Sequence, residues 1–468
     1  MLRKDTIAAI ATGLTDSGVG IIRISGENAV QVGNSIFRTS SGRSVLKKAE
    51  SHKFYHGFVV GRGGNTIDEV MAVVMRSPRS YTGEDTVEIQ CHGGVLVMKK
   101  ILGEALEAGA RLAEPGEFTK RAFLNGRMDL SRAEAVIDVI HSQNEYALSS
   151  SVNQLRGVLS EKIRKLREAI LYEIAFIESA LDDPEHMNID GYGEQLNGKI
   201  NQLIDILIEM LSASDNGRIL KEGIRTVIVG KPNAGKSSLL NLMVGEERAI
   251  VTEIAGTTRD VIQEMVSFHG MTFHIIDTAG IRDTQDIIEK IGVELAKKYA
   301  MSADLVLYVI DTSVPLDDSD REIISIIRNK NVICLMNKSD LAPAVTKEDI
   351  SAMFGDHAAR NRKLSMIRTS TRDGVGMEEF QRIVQDMFYK GKVKTNNQVV
   401  IANMRHQEAM REALESLELV QKTIQNGMPE DFYSIDLMNA YKSLGRILGE
   451  EVDDDLVEEI FSRFCIGK

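Results

Sequence analysis

The sequence predicts a multidomain α/β protein. In residues 1–120, short apolar runs with strand spacing alternate with turn signals, which indicates a small α+β domain. Stretches with helical spacing follow in 121–222 and return in 389–468. Between them, in 223–388, β-branched runs alternate with helix-like segments, which is typical of a mostly parallel sheet covered by helices. We therefore expect an α/β domain inserted into an all-α helical domain whose two halves pack together.

The N-terminal domain, residues 1–120, contains several strand-like runs and one helix-like run. The strand-like runs are GVGIIRISG, HKFYHGFVV, DEVMAVVMRSP and DTVEIQC. The stretch GGVLVMKKILGEALEAG then has helical spacing, and ARLAEPG is typical of a further strand. This order predicts a sheet packed against a small number of helices.

The helical domain is predicted from apolar residues that recur every three or four positions, which places them on one face of a helix. In its first part, 121–222, this face consists of Leu166, Ile170, Ile174, Ile177 and Leu181. The second part, 389–468, is again rich in Met, Leu, Glu and Lys. We expect the face from Leu166 to Leu181 to pack into the core of the helical domain.

The composition is that of an ordinary globular protein. With 468 residues, 43% hydrophobic and 26% charged, the chain is long enough for about three domains. Its net charge of −12 works against a broad nucleic-acid surface, because such affinity comes chiefly from clustered Lys and Arg. Any RNA would therefore bind through a local patch or a partner. Cys91, Cys334 and Cys465 form neither a disulfide framework nor a metal-site spacing, which favours the reducing cytoplasm.

The two ends of the sequence do not favour a membrane location. The first residues contain a short apolar stretch interrupted by Asp5 and Asp16, and no run reaches the ~18 apolar residues of a membrane span. The final FCIGK places Cys465 at a position that invites prenylation. Gly467 and Lys468 do not fit that signal, and the upstream residues are acidic rather than basic. We expect no membrane anchor.

A phosphate-binding loop is predicted at Gly230–Ser237, which fits the pattern G-x-x-x-x-G-K-[ST]. A strand at Val227–Val229 precedes it and a helix at Ser238–Val244 follows, so a chance glycine turn is disfavoured. Lys236 is expected to neutralise the β- and γ-phosphates and act in catalysis, and the Ser237 hydroxyl to bind Mg²⁺. The residues predicted to contact the nucleotide here are Asn233, Ala234, Gly235, Lys236, Ser237 and Ser238.

Two downstream segments have the sequence of switch loops. Gly256–Asp260 (GTTRD) lies in a predicted loop, where Thr258 is expected to bind Mg²⁺ and the γ-phosphate during catalysis. Asp277–Gly280 (DTAG) follows the apolar strand FHII, which places Asp277 near Mg²⁺ and the Gly280 N–H near the γ-phosphate. The nucleotide contacts predicted here are Thr252, Glu253, Ile254, Ala255, Gly256, Thr257, Thr258, Asp277, Thr278, Ala279 and Gly280.

A third segment, Asn337–Asp340 (NKSD), predicts that the base is guanine. The Asp340 carboxylate can accept hydrogen bonds from guanine N1–H and the exocyclic amine, whereas adenine offers no such pair. A buried acceptor left unpaired by the wrong base gives strong selection. Ser370–Arg372 is the candidate final base-contacting loop. The predicted contacts of these two segments are Asn337, Lys338, Asp340, Ser370, Thr371 and Arg372. Together with the phosphate loop, they predict a GTPase.

These motifs give the chain a close resemblance to a known family. GKPNAGKSS, GTTRD, DTAGIRD and NKSD, set inside a helical domain that ends in FCIGK, resemble the bacterial tRNA-modification GTPases of the MnmE (TrmE) family. The resemblance covers essentially the whole chain. It includes RISG (Arg23–Gly26), YTGEDTVEIQCHGG (Tyr81–Gly94) and EPGEFTKRAFLNGRMDL (Glu114–Leu130).

The resemblance implies a function and partners. Members of the family work with MnmG, an FAD protein, in a heterotetramer that forms 5-carboxymethylaminomethyluridine, or an aminomethyl analogue, at the wobble position of certain tRNAs. It implies that the N-terminal domain forms the homodimer and binds a tetrahydrofolate derivative as one-carbon source. The matching folate-contact positions are Arg23, Glu88, Arg127 and Lys468. Arg127 stands where some relatives have lysine, which keeps the charge but changes the geometry.

The resemblance also implies how GTP is hydrolysed. Ras-like proteins orient the attacking water with a glutamine after DTAG, but here that residue is Ile281, which has no polar group. The family's water-orienting glutamate matches Glu289. Its K⁺ ion, which replaces the charge of an arginine finger, matches Asn233, Thr252, Ile254 and Thr257. FCIGK would return to the folate pocket, with Cys465 either a catalytic nucleophile or a small packed residue.

Two other classes of function are compatible with the GTPase motifs. One is a ribosome-assembly GTPase of the Era or Der type, but the sequence has neither a GXXG loop in a KH setting nor a second G-x-x-x-x-G-K-S. The other is a folate-dependent aminomethyltransferase with an accessory GTPase domain. Comparison of the modified nucleosides in tRNA with and without the gene would separate this second class from a tRNA-modification GTPase.

Overall fold

The computed structural model describes residues 5–183, 191–214, 219, 222–246, 263–276, 302–355, 364–389, 401, 403–450, 452, 454–465 and 467–468. These residues form two compact units, each built from several segments of the chain. The first unit contains 1–140, 152–204 and 409–468, and the second contains 141–151 and 205–408.

The first unit contains a seven-stranded sheet in the order β3-β4-β5-β6-β2-β1-β7. The strands are β1 (Ile7–Ile10), β2 (Ser17–Ser25), β3 (Phe37–Arg38), β4 (Phe54–Val60), β5 (Thr66–Met75), β6 (Thr86–Gly93) and β7 (Arg111–Leu112). Neighbours pair antiparallel except β1 with β7, which are parallel. The strand predicted in ARLAEPG is confirmed over only the two residues of β7.

Helices α1 (Ala29–Ile36) and α2 (Val95–Glu107) pack on one face of this sheet. Alternate residues of each strand point to that face, as the two-residue period of a strand requires. Val87 and Ile89 of β6 are fully buried in the same cluster as Met98 of α2. The α+β class predicted for the N-terminal domain is therefore confirmed.

The helical segments outside the sheet domains are mostly long. They are α3 (Glu117–Leu124), α4 (Leu130–Ile140), α5 (Glu145–Leu155), α6 (Val158–Asp182), α7 (Tyr192–Ser214), α12 (Met404–Gln425), α13 (Asp431–Leu448) and α14 (Asp454–Ser462). Within the first unit, α6 packs along α13. The buried Arg167 of α6 stacks on the Tyr441 ring at 4.0 Å and pairs with Glu450 at 2.6 Å. These contacts join the two halves of the helical domain.

The apolar face predicted on α6 is confirmed except at its last position. Its first four residues, from Leu166 to Ile177, are at most 5% exposed. Leu181 is 44% exposed, so its predicted burial is wrong. Leu181 lies in the last turn of the helix, where Ala180, three residues after Ile177, takes the buried position.

The second unit contains a six-stranded sheet in the order β13-β12-β11-β8-β10-β9. The strands are β8 (Ile224–Val229), β9 (Gln263–Phe268), β10 (Met271–Ile276), β11 (Leu305–Asp311), β12 (Val332–Asn337) and β13 (Leu364–Arg368). All neighbours are parallel except the antiparallel hairpin of β9 and β10. This is the mostly parallel sheet that the sequence predicts.

Helices connect the parallel strands, and buried clusters lie on both faces of the sheet. The helices are α8 (Lys236–Glu246), α9 (Asp318–Ile327), α10 (Lys347–Phe354) and α11 (Met377–Val384), which continues as a π-helix over Gln385–Tyr389. Strand β8 and helix α8 extend beyond the predicted Val227–Val229 and Ser238–Val244. The carboxyl ends of the parallel strands therefore bring their loops to one edge of the sheet.

None of the helices in the described residues is both long and apolar enough to cross a membrane.

Candidate guanine-nucleotide site

The phosphate-binding loop (P-loop, Gly230–Ser237) joins the end of β8 to the first turn of α8. Gly230 has a φ of 151°, and a Cβ there would lie 2.3 Å from the carbonyl oxygen of Val309. Gly235 has a φ of 105°, and a Cβ there would lie 2.2 Å from Asn337 Nδ2. Both distances are too short for a side chain. The two glycines therefore let the loop pass close to β11 and β12.

Helix α8 begins with the lysine of the P-loop. Lys236 Nζ donates hydrogen bonds to the carbonyl oxygens of Gly230 and Lys231, both at 2.8 Å, so its side chain lies along the loop. The side chains of Ser237–Ser238 are exposed in the same first turn. A loop of backbone N–H groups that leads into a helix N-terminus, with an ammonium beside it, suits a phosphate.

Lys231 ties the start of the P-loop to the neighbouring helix α9. Its Nζ lies 3.0 Å from Asp317 Oδ2 and 2.7 Å from Asp320 Oδ2. Asp320 is 1% exposed and also accepts a hydrogen bond from Tyr308 at 2.8 Å. Burial opposes the charge of Lys231, but the bonds to Asp320 and Asp317 outweigh it and raise the pKa of Lys231. The two aspartates also form the capping box of α9.

Asn337 connects the NKSD segment to the P-loop and to the final loop. Its side chain lies at the end of β12 and is almost completely buried. Nδ2 donates to the Ala234 carbonyl oxygen at 2.8 Å, and Oδ1 accepts from the Thr371 N–H at 3.1 Å. One amide therefore joins three predicted motifs, of which the P-loop lies more than a hundred residues before the other two in sequence.

Asp340 is held by the final base-contacting loop. The buried Ser370 hydroxyl lies 3.1 Å from Asp340 Oδ1 and 2.9 Å from Asp373 Oδ2. The Ser339 N–H donates to the Thr369 carbonyl oxygen at 3.1 Å, which fixes the backbone next to Asp340. Arg372, predicted in the same loop, is exposed. A carboxylate fixed in this way through one oxygen can accept hydrogen bonds from a base.

The remaining predicted nucleotide residues lie outside the described part of the chain. These are Thr252, Glu253, Ile254, Ala255, Gly256, Thr257 and Thr258 of the first switch segment, Asp277, Thr278, Ala279 and Gly280 of the second, and Glu289. Of the residues predicted to bind Mg²⁺ or K⁺, Ser237 and Asn233 are described, and both are exposed.

A second candidate site lies at the C-terminus of the chain, in the first unit. Arg23 Nε donates to Glu88 Oε1 at 2.7 Å, and Arg23 Nη1 donates to the Gly467 carbonyl oxygen at 3.2 Å. The guanidinium also lies 5.3 Å from the ring centroid of Tyr81 and 5.6 Å from that of Phe118. The cation–π and hydrogen-bond contacts fix Arg23 in one orientation.

Lys468 and Arg127 belong to the same neighbourhood. Burial lowers the pKa of the half-buried Lys468, and the adjacent positive charge of Arg23 lowers it further. Arg127 Nε donates to the Ser80 carbonyl oxygen at 2.9 Å. Burial raises the pKa of Tyr81, and the positive charges of Arg23 and Arg127 both oppose that rise. Arg127 therefore lies near the same tyrosine that Arg23 contacts. The four residues predicted for folate therefore lie around one region.

The final residues of the chain are seated tightly on the N-terminal sheet. Gly467 has a φ of 95°, and a Cβ there would lie 2.4 Å from the Ile10 carbonyl oxygen. The Gly116 N–H donates to the Cys465 carbonyl oxygen at 3.4 Å. Phe464 is buried, whereas Cys465 is exposed. Of the two alternatives for Cys465, a small packed residue does not fit its exposure.

Comparisons with known proteins agree with this geometry. A family model described as "GTP-binding protein TrmE N-terminus" matches residues 6–127, and one described as "MnmE helical domain" matches residues 130–465. The tRNA modification GTPase MnmE of Lachnoclostridium phytofermentans is 52% identical over 467 residues, with 100% of each chain covered. The chain belongs to the MnmE family of tRNA modification GTPases. It is accordingly a GTP hydrolase with a role in tRNA modification.

Other MnmE proteins match over the full length as well. Those of Clostridioides difficile and Acetivibrio thermocellus are 46% and 43% identical, each with 100% of both chains covered. Among solved structures, the G domain of the T. maritima FeoB iron transporter is 26% identical, covers 35% of this chain and 97% of its own, and has a TM-score of 0.26. That similarity is too low to add to the assignment. Membership of the MnmE family favours neither the Era or Der alternative nor an aminomethyltransferase.

Three residues beside the candidate nucleotide site are absent from the sequence-based prediction. Asp311 ends β11, Thr312 and Ser313 follow it, and Asp311 and Thr312 contact the NKSD segment. The available signal was that LVLYVID and NVICLMN are consecutive strand-like runs, because consecutive parallel strands often lie side by side with their carboxyl ends at one edge. A polar triplet after the neighbouring strand was therefore a candidate for the same site.

Proposed function

We propose that this chain is the GTPase of a cytoplasmic tRNA wobble-uridine modification enzyme. As a homodimer in a heterotetramer with the FAD protein MnmG, it would form 5-carboxymethylaminomethyluridine or an aminomethyl analogue, with a tetrahydrofolate derivative as one-carbon source. The tRNA would bind mainly through the partner, in keeping with the net charge of −12. The observation that supports the GTP site best is the buried Asn337 amide, which links the P-loop to both base-reading segments.

The described residues suggest distinct roles at the proposed GTP site. Lys236 would neutralise the β- and γ-phosphates, and Asp340 would accept hydrogen bonds from guanine. Hard cations prefer oxygen ligands, and the exposed Ser237 hydroxyl and Asn233 side chain beside the loop offer them for Mg²⁺ and K⁺ respectively. Such cations supply positive charge that stabilises the developing negative charge on the phosphates.

The switch segments complete the proposal. Thr258 would add a ligand for Mg²⁺, while Thr252, Ile254 and Thr257 would complete the K⁺ site. Thr252 to Thr258 and Asp277 to Gly280 would surround the phosphates. Glu289 would orient the attacking water in place of Ile281, which has no polar side-chain atom.

The folate proposal is supported by the charged residues that lie together at the C-terminus. Arg23 and Lys468 are two cations near the carboxylate of Glu88, and the pKa of Lys468 is lowered by burial and further by repulsion from Arg23. An anionic ligand would relieve that repulsion, and tetrahydrofolate derivatives carry carboxylates. Arg127 would add a further cation, and the exposed Cys465 would lie at the edge of the same region as a member of the proposed catalytic set.

The mechanism is tested by the hydrolysis rate of the purified protein in KCl and in NaCl at equal ionic strength. We expect faster hydrolysis in KCl, as a K⁺ site predicts, and identical rates would reject the K⁺ site. In the same assay, Glu289→Ala should hydrolyse GTP at least about a hundredfold more slowly while it binds GTP normally, as expected for loss of a water-orienting group. An unchanged turnover would remove Glu289 from that role.

A further inference from the structure

The segment Asp311–Ser313 supports the NKSD segment from the neighbouring strand. Strands β11 and β12 are parallel, and their register pairs Asp311 with Asn337 at the ends of both strands. One residue later, the N–H and the hydroxyl of Thr312 both donate to the Asn337 carbonyl oxygen, at 3.1 and 2.8 Å. Thr312 is 3% exposed, so these bonds are shielded from water. The backbone at the start of the NKSD segment is thereby fixed.

The Asp311 carboxylate uses both oxygens at this edge. Oδ2 accepts from Lys338 Nζ at 2.5 Å, and Oδ1 accepts from the N–H and hydroxyl of Ser313 at 3.0 and 2.6 Å. The side chain of Asp311 is only 12% exposed, and that of Lys338 is 33% exposed. Burial favours the neutral acid, yet the bonds from Lys338 and Ser313 outweigh it and lower the pKa of Asp311. The carboxylate therefore stays charged at neutral pH.

Lys338 needs such a partner, because its backbone is strained. Its φ of 59° lies in the left-handed region, which is unfavourable for a residue other than glycine. A partly buried, charge-assisted hydrogen bond is among the stronger ones and can offset that cost. This turn places Asn337 against the P-loop on one side and Asp340 against Ser370 on the other.

We propose that Asp311 is a positioning residue of the guanine-nucleotide site: through Lys338 it holds the NKSD segment in the conformation that presents Asp340 to the base. This inference rests on the proposed GTP site and adds a residue to it. Pre-organisation of a binding loop raises affinity because less conformational entropy is lost on binding. The gain in affinity comes from contacts with the base, so it is the same for GTP and GDP. It does not change the rate of phosphate hydrolysis.

The test is the equilibrium affinity of the full-length protein for GTP, GDP and ATP, measured for the wild type, Asp311→Asn, Lys338→Met and the double variant. Asp311→Asn should lower the affinities for GTP and for GDP about tenfold each, the equivalent of one charge-assisted hydrogen bond. The kcat at saturating GTP should be unchanged. In the Lys338→Met background, Asp311→Asn should lower the affinity for GTP by no more than about a further twofold, because Asp311 acts through Lys338. Asp318→Asn, at an exposed carboxylate in the first turn of α9, is the matched control and should leave all affinities unchanged.

Each alternative outcome has a defined meaning. Unchanged affinities in Asp311→Asn, effects that add fully to those of Lys338→Met, or a lowered kcat with normal affinity would each overturn the inference. If Asp311→Asn does not fold, Ser313→Ala replaces it. That variant removes the hydroxyl that donates to Asp311 at 2.6 Å, and it should lower the affinities for GTP and GDP about threefold. Unchanged affinities would again overturn the inference. A wild-type protein that does not prefer GTP to ATP would instead refute the proposed GTP site itself.

Discussion

At the scale of single residues, buried polar side chains connect the motifs of the nucleotide site. Asn337 bonds to the P-loop and to the final loop, and Lys231 bonds to the capping box of α9. Because Asn337 and Asp320 are nearly inaccessible to water, these bonds cannot be replaced by solvent when one partner is removed. The geometry of the P-loop therefore depends in part on Lys231 and Asp320, which are not among the predicted nucleotide contacts.

Lys231→Met tests this dependence. The variant leaves the buried Asp320 with one cation fewer, so we expect the free energy of unfolding to fall by about 1 to 3 kcal/mol in urea denaturation. It should also raise KM for GTP several-fold with a smaller change in kcat, because the loop is displaced while Lys236 remains. Lys231→Arg, which keeps the charge, should restore most of both values. A variant with wild-type stability and wild-type KM would show that the link to α9 is unimportant.

At the scale of elements, the sequence predicts the strands and the P-loop well but misses contacts between them. Periodicity and the G-x-x-x-x-G-K-S pattern locate β8, the loop and α8 to within a few residues. Hydrogen bonds such as that of Thr312 to Asn337 depend on which strands are neighbours, and spacing along the chain carries no such information. The exposure of Leu181 also could not be predicted from its spacing, which continues the pattern of the buried residues before it. Which residue of the last helical turn is buried depends on the elements packed against that turn.

Gly235→Ala tests the close approach of the P-loop to β12. The new methyl group would stand 2.2 Å from Asn337 Nδ2 at a φ of 105°, so the loop or Asn337 has to move. We expect affinity for GTP to fall by at least about a hundredfold, as two or more of the contacts that shape the site are lost. Gly270→Ala is the matched control.

That control also forces a residue with a side chain into positive φ, at 75°, but nothing lies within 4 Å of its Cβ. It should cost about 1 kcal/mol of stability and leave GTP affinity unchanged. Equal affinities for GTP in the two glycine variants would mean that the contact with Asn337 does not matter.

At the scale of the whole molecule, each compact unit carries one candidate site. The second unit holds the nucleotide residues, and the first holds the C-terminal residues beside Arg23 and Glu88. The sequence alone shows the tail only as an unusual FCIGK. Its position follows from Gly467, whose missing side chain lets the tail lie against β1.

Lys468→Met should affect the proposed folate site without affecting the GTP site. Loss of one of two adjacent cations is expected to weaken binding of a tetrahydrofolate derivative about tenfold, the equivalent of one charge-assisted hydrogen bond, while GTP affinity is unchanged. Isothermal titration with each ligand measures both values, and Lys165→Met, at an exposed lysine of α6, is the control. Unchanged binding of the folate derivative would remove Lys468 from the proposed pocket.

The most direct test of the account is the modification state of tRNA in cells. Wobble uridines are analysed in a strain that lacks the gene, and again after complementation with the wild type or with Lys236→Ala, which loses the ammonium of the P-loop. We predict that the carboxymethylaminomethyl or aminomethyl group disappears in the deletion strain, returns with the wild type and does not return with Lys236→Ala. Wobble uridines that stay fully modified in the deletion strain would contradict the account.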